Sequence, residues 1–284
     1  MAVIQVLQLG SIDYGSGLQL QQRLVDLRKD GRIGDVLLLL EHTPVITLGR
    51  NAKAANILAS AELLAQRGVE VFECDRGGDV TFHGPGQIVG YPIFDLRGFA
   101  SSDGKRRTLG AVDYVRKLEQ VLIRTCADFG IPAQRIPSLT GVWTEPHRLS
   151  SRAEPNAADR GGWAETRELA KSEAKIAAIG VHISRGVTSH GFALNGNTDL
   201  SYFNLIIPCG ITAKPVTSMK NELNREIALE EVAQSITRNL GQVFGSQIVW
   251  LETLEALLPP AVGVPMKPPA ELRQIHKEKD TFWA

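Results

Sequence analysis

Cysteine is scarce in this chain, with three in 284 residues. So small and odd a number excludes a disulfide framework and fits a reducing compartment. An excess of either charge is also missing, since 31 Lys plus Arg balance 31 Asp plus Glu. Net charge therefore points to neither nucleic acid nor an anionic membrane as a partner. No long apolar run is present near the N-terminus; the stretch 36–40 is far too short to cross a bilayer. The first ten residues lack the charged n-region and cleavage site of a signal peptide and read as a strand. His42, His147, His182 and His276 show no metal-ligand spacing with each other or with a cysteine pair, so no metal is expected. Internal repeats are absent. A soluble cytoplasmic protein with an ordinary core is the expectation, at 43% hydrophobic and 22% charged residues.

What is present is an interleaved run of strands and helices. Apolar spacing predicts helices at 18–29, 60–67, 108–129 and 229–244. Strands are predicted at 35–40, 45–48, 69–74, 80–83, 88–96, 176–183 and 191–194. The helix at 108–129 carries Val112, Val115, Leu118, Leu122 and Cys126 on one stripe, which places Cys126 in a core. Cys74 ends a half-buried strand. Several strands in immediate succession predict an α/β (α+β) fold, a mixed sheet covered by helices, rather than a strict βαβ series. Residues 1–250 read as one domain. The polar stretch 145–174 reads as a mobile insertion, and 251–284, with its Pro-Pro pairs, as a C-terminal helix or irregular tail.

Four short blocks carry chemistry. The densest is Arg76-Gly-Gly-Asp-Val-Thr-Phe-His-Gly-Pro-Gly-Gln87. Four glycines there would only weaken a strand, but they let backbone N–H groups approach a ligand closely. Arg76 could bind a carboxylate, phosphate or carbonyl, and His83 could exchange a proton with a reacting group; a tight hairpin with a solvated arginine is the plain alternative. The block is neither a Walker loop nor a dinucleotide fingerprint. The second block is Lys175-Ile-Ala-Ala-Ile-Gly180, whose lysine is either a solvated strand end or the partner of a thiol. In the third, His190-Gly-Phe-Ala-Leu-Asn195, Phe192, Ala193 and Leu194 could line an apolar tunnel; His190 is either catalytic or a satisfied structural histidine. The fourth, Pro208-Cys209-Gly210, holds a thiol on a turn, unlike Cys74 and Cys126 in their apolar segments. An ammonium beside such a thiol would favour the thiolate, which is the nucleophile.

These four blocks, in this order from Arg76 to Gly210, resemble the lipoyl(octanoyl) transferases of the LipB type. The resemblance implies the fold shared by biotin and lipoate protein ligases. It implies transfer of an octanoyl or lipoyl group from acyl carrier protein to a lysine of an apo lipoyl domain, as in 2-oxoacid dehydrogenases, or of glycine-cleavage H protein. It further implies a thioester on Cys209, with Lys175 lowering the thiol's pKa. The matching acyl-binding residues are Arg76, Gly77, Gly78, Asp79, Val80, Thr81, Phe82 and His83, then Ala178, Ile179 and Gly180, then Gly191, Phe192 and Ala193. No cofactor is implied, because the donor is already a thioester. The insertion at 145–174 and the tail depart from the family pattern but displace no block. An ATP-dependent ligase on the same fold, a non-catalytic acyl-binding protein and a Cys209/His83 hydrolase are the alternatives.

Overall fold

The apolar run at 36–40 lies at the centre of the molecule, buried on both faces, as a strand with no polar alternation must be. The computed structural model describes residues 2–100, 108–145, 173–208 and 214–257. In chain order the elements are β1 (Ala2–Ile12), α1 (Tyr14–Lys29), β2 (Asp35–His42), β3 (Val45–Leu48), α2 (Ala61–Gln66), β4 (Glu70–Glu73), β5 (Val80–His83), β6 (Gln87–Ile93) and α3 (Ala111–Asp128). They continue with β7 (Ala133–Ile136), β8 (Leu139–Thr144), β9 (Lys175–Ser184), β10 (Val187–Asn195), α4 (Met219–Leu223), α5 (Leu229–Phe244) and β11 (Ser246–Trp250).

Among the described residues the strands form an eight-stranded sheet, ordered β11-β1-β2-β6-β10-β9-β8-β7, and a three-stranded sheet, β4-β3-β5. Pairing is mixed: β1 runs parallel to β11 and β2, while β6 is antiparallel to β2 and β10. The predicted mixed sheet with covering helices is therefore the fold. Strand alternation divides β2 between two cores. Leu37 and Leu39 pack with Leu118, Leu122, Ile236 and Leu240 of α3 and α5. Val36, Leu38 and Leu40 pack with Leu20, Leu24 and Leu27 of α1. A third cluster, with Ile46, Leu64, Val80 and Phe82, fills the small sheet.

Cys126 is fully buried against the sheet, as its helical stripe predicts. Val112 is not, and is 73% exposed. It lies in the first turn of α3, and the buried positions of that helix begin only at Tyr114. The N-terminal helix begins earlier than its apolar spacing predicts, because the Asp13 side chain accepts the Ser16 N–H at 2.9 Å and caps it. Of the predicted tail, the part up to Leu257 packs onto the core through Leu254 and Leu257. The rest of the tail, and residues 146–172 of the insertion, lie outside the described residues. No helix among the described residues is long and apolar enough to cross a membrane.

Candidate active site

The glycine-rich block folds as a loop, residues 76–79, laid across β9. The Gly77 N–H donates to the Val181 carbonyl at 3.0 Å. A Cβ on Gly180 would stand 2.7 Å from the Gly77 carbonyl oxygen, so only glycine lets loop and strand approach this closely. Arg76 holds the loop. Its Nη2 donates to the carbonyls of Thr47 and Asp79, both at 2.7 Å, Nε donates to the Thr47 hydroxyl, and Nη1 donates to the Gly77 carbonyl. The guanidinium is buried in hydrogen bonds to neutral oxygens, and its charge-assisted donors make the loop rigid.

Between this loop and the large sheet lies a cleft of about 480 Å³, counting its open mouth. Arg76, Gly77, Gly78, Asp79, Thr81, His83, Ala178, Ile179, Gly180, Gly191, Phe192 and Ala193 all line it. Three sequence blocks up to 117 positions apart thus converge on one cavity. Two predicted residues do not. Val80 and Phe82 alternate with Thr81 and His83 along β5 and so point the other way, into the small-sheet core, where Phe82 stacks on Tyr202 at 4.7 Å. Tyr14, Val89, Tyr91 and His190 line the cleft as well. The first three lie in segments that look like ordinary core in the sequence.

The floor of the cleft is an aromatic cluster. The His42 ring accepts from the Tyr91 hydroxyl through Nε2 at 2.6 Å and donates from Nδ1 to the Ile12 carbonyl. His83 stacks on Tyr14 with 6.3 Å between ring centres. Gln87 donates its amide to Phe82 O and Asn195 Oδ1, which leaves its oxygen to accept from His83 Nδ1 at 2.7 Å. Burial lowers His83 to about 3, helped by neighbouring His42. Burial likewise lowers His42 to about 4. Both rings are therefore neutral at physiological pH. Unfolded, each would take a proton near 6.5. Between 6.5 and the folded values the unfolded chain binds more protons, so this contribution to stability is complete above about 6.5 and is lost as pH falls. Each histidine costs about 1.4 kcal/mol per pH unit in that window. Urea unfolding at pH 7.5 and pH 5 is expected to differ by several kcal/mol, and His83→Gln should reduce the difference; equal stabilities at the two pH values would contradict this.

Lys175 opens β9, three residues before Ala178, and is 7% exposed. Its Nζ lies 4.9 Å from the centre of the Trp143 ring. A Cβ on Gly141, which has φ +121°, would stand 3.2 Å from Lys175 Cε, so the glycine leaves room for the lysine stem. The Lys175 N–H donates to the Pro215 carbonyl at 2.8 Å, and the Thr217 N–H donates back to the Lys175 carbonyl at 2.9 Å. Lys214, ion-paired to Glu173, lies 5.9 Å from the centre of the same ring. Cys209 lies outside the described residues. The chain on both sides of it, Pro208 and Lys214 to Val216, lines one open cleft. His190, which the sequence left as either catalytic or structural, donates Nε2–H to Asp75 at 2.7 Å. Burial and the hydrogen bond oppose each other on that ring, and burial prevails to lower its pKa.

Residues 13–241 match the family model described as lipoyl protein ligase A/B catalytic domain. The chain is 56% identical to an octanoyltransferase of Koribacter versatilis, over 97% of this chain and 98% of that one. It is 57% identical to an octanoyltransferase of Acidobacterium capsulatum, over 90% of this chain and 96% of that one. Among solved structures it is similar in fold to a bi-partite lipoate protein ligase of Thermoplasma acidophilum, with TM-score 0.63, 12% identity, and coverage of 98% of this chain and 92% of that one. A lipoate-protein ligase A bound with ATP matches with TM-score 0.62 at 13% identity, over 98% and 94% of the two chains.

Proposed function

Since the chain belongs to the octanoyltransferases, acyltransferases built on the lipoyl protein ligase A/B catalytic domain, we propose that it moves the octanoyl group in two steps through a thioester on Cys209. The donor in this reading is octanoyl-acyl carrier protein. The acceptors are lysines of apo lipoyl domains of 2-oxoacid dehydrogenases and of glycine-cleavage H protein. The observation that carries it is the convergence of three separated motif blocks on one cleft, with Lys175 on the strand that forms one wall.

Lys175 takes the Cys209 proton and leaves a thiolate beside an ammonium. The thiolate attacks the donor carbonyl, the new C–S bond forms, and the bond to the carrier's thiol breaks; that thiol leaves with the proton from Lys175. The acceptor amine then attacks the Cys209 thioester, Lys175 receives the amine's surplus proton, and Cys209 is released as the thiolate. Backbone N–H groups stabilise the oxyanion, at about 3 kcal/mol per donor. The acyl chain occupies the cleft beneath that loop. Residues 1–250 act as a single catalytic domain in the cytoplasm.

The test is transfer from octanoyl carrier protein to an apo lipoyl domain without ATP. Amide-linked octanoyl on the acceptor lysine is expected. A strict need for ATP would indicate a ligase, and release of free octanoate alone would indicate a hydrolase.

A further inference from the structure

The ring that faces the Lys175 amine belongs to Trp143, a residue outside all four motif blocks. We propose that Trp143 is a positioning residue for the transfer reaction, its ring face stabilising the Lys175 ammonium that forms when the Cys209 proton moves. This rests on the reading above, in which Lys175 is the proton acceptor.

A register shift in the sheet brings the two side chains together. Val142 on β8 pairs with Ala177 on β9, so a regular antiparallel ladder would set Ile176 opposite Trp143. The register slips there, and Lys175 stands opposite Trp143 instead. Directly opposed residues share one face of a sheet, and an extra residue of this kind re-aims a side chain. Ile176 is left to the core with α3 and α5. Thr144 clamps the start of the displaced strand: its N–H donates to the Ala174 carbonyl at 2.8 Å, and its hydroxyl accepts the Ala174 N–H at 3.2 Å. The indole is fixed as well, at 1% exposure. Its centre lies 4.9 Å from Lys175 Nζ, inside the range of about 6 Å in which a ring face attracts a cation. Lys214 reaches the same ring at 5.9 Å, but its charge is met by Glu173.

A ring suits a lysine that must hand a proton on. Its negative face attracts an ammonium that burial has stripped of much of its water. It does so without a lone pair that would engage the amine's protons. The pair of Lys175 ammonium and Cys209 thiolate is thereby favoured over the neutral amine and thiol.

The test is the pH profile of Cys209 alkylation in the full chain, followed by digestion and mass spectrometry of the Cys209 peptide. A ring-fluorinated tryptophan placed at 143 keeps the shape of the indole and withdraws the negative charge from its face. It should move the midpoint up by about one pH unit. Trp143→Leu should move it at least as far, and Trp143→Phe, which keeps an aromatic face, about half as far. The fluorinated enzyme keeps the native packing and decides the question if the leucine variant does not fold. A midpoint unchanged by fluorination, while Lys175→Met moves it, overturns the role of Trp143 alone. A midpoint that Lys175→Met leaves in place removes the proton-acceptor reading and the role of Trp143 together.

Discussion

Replacing Cys209 with alanine is expected to lower octanoyl transfer by about four orders of magnitude or more. A covalent route divides one difficult acyl transfer into two easier ones, and loss of the nucleophile removes both. Where nucleophile and base act as a unit, removing the nucleophile costs nearly the whole of their joint effect. The other two cysteines are the controls. Cys126 is buried in the core under α3, and Cys74 donates its S–H to the Leu48 carbonyl at 3.4 Å. Cys126→Ala should retain transfer and lose some stability. Transfer rates for the Cys209 and Cys126 variants with saturating donor decide the matter; a Cys209→Ala enzyme within tenfold of wild type would contradict the assignment.

Replacing Lys175 with methionine is expected to cost about 100- to 1000-fold in transfer, the range of a positioned acid–base group. Methionine keeps the unbranched stem that packs beside Gly141 and the Trp143 ring, so the loss would report the amine and not the packing. The readout that separates a proton-transfer role from a structural one is the pH profile of Cys209 alkylation. Without the neighbouring ammonium, its midpoint should move up toward about 8.5, the ordinary thiol value. A profile that does not move would remove Lys175 from the mechanism even if the rate fell.

Where the cleft's lining comes from consecutive residues, much of it was legible in the sequence. The glycines of the 76–87 block stand out as costly in a strand, and Gly77 lies where its carbonyl comes within 2.7 Å of a Cβ built on Gly180. Contiguity also misled. Val80 and Phe82 share a block with Thr81 and His83, but a strand turns alternate residues to opposite faces, and they belong to the small-sheet core. Arg76 reads as a ligand-binding charge until Thr47, 29 positions away, is seen to absorb its donors. Tyr14, Val89 and Tyr91 carry no local signal, because only the tertiary fold brings α1 and β6 to the cleft. The edge strands β7 and β11 escaped prediction for a related reason. They are short and mixed in polarity, and pairing with β8 and β1 makes them strands, not propensity.

The central claim is that the acyl group rests on Cys209 during transfer. Intact-protein mass spectrometry after brief mixing with octanoyl carrier protein, with no acceptor present, tests it most directly. One octanoyl per chain is predicted, mapped by peptide digestion to Cys209 and lost on addition of an apo lipoyl domain. An unmodified enzyme that still transfers, or an octanoyl adduct that persists in Cys209→Ala, would contradict it.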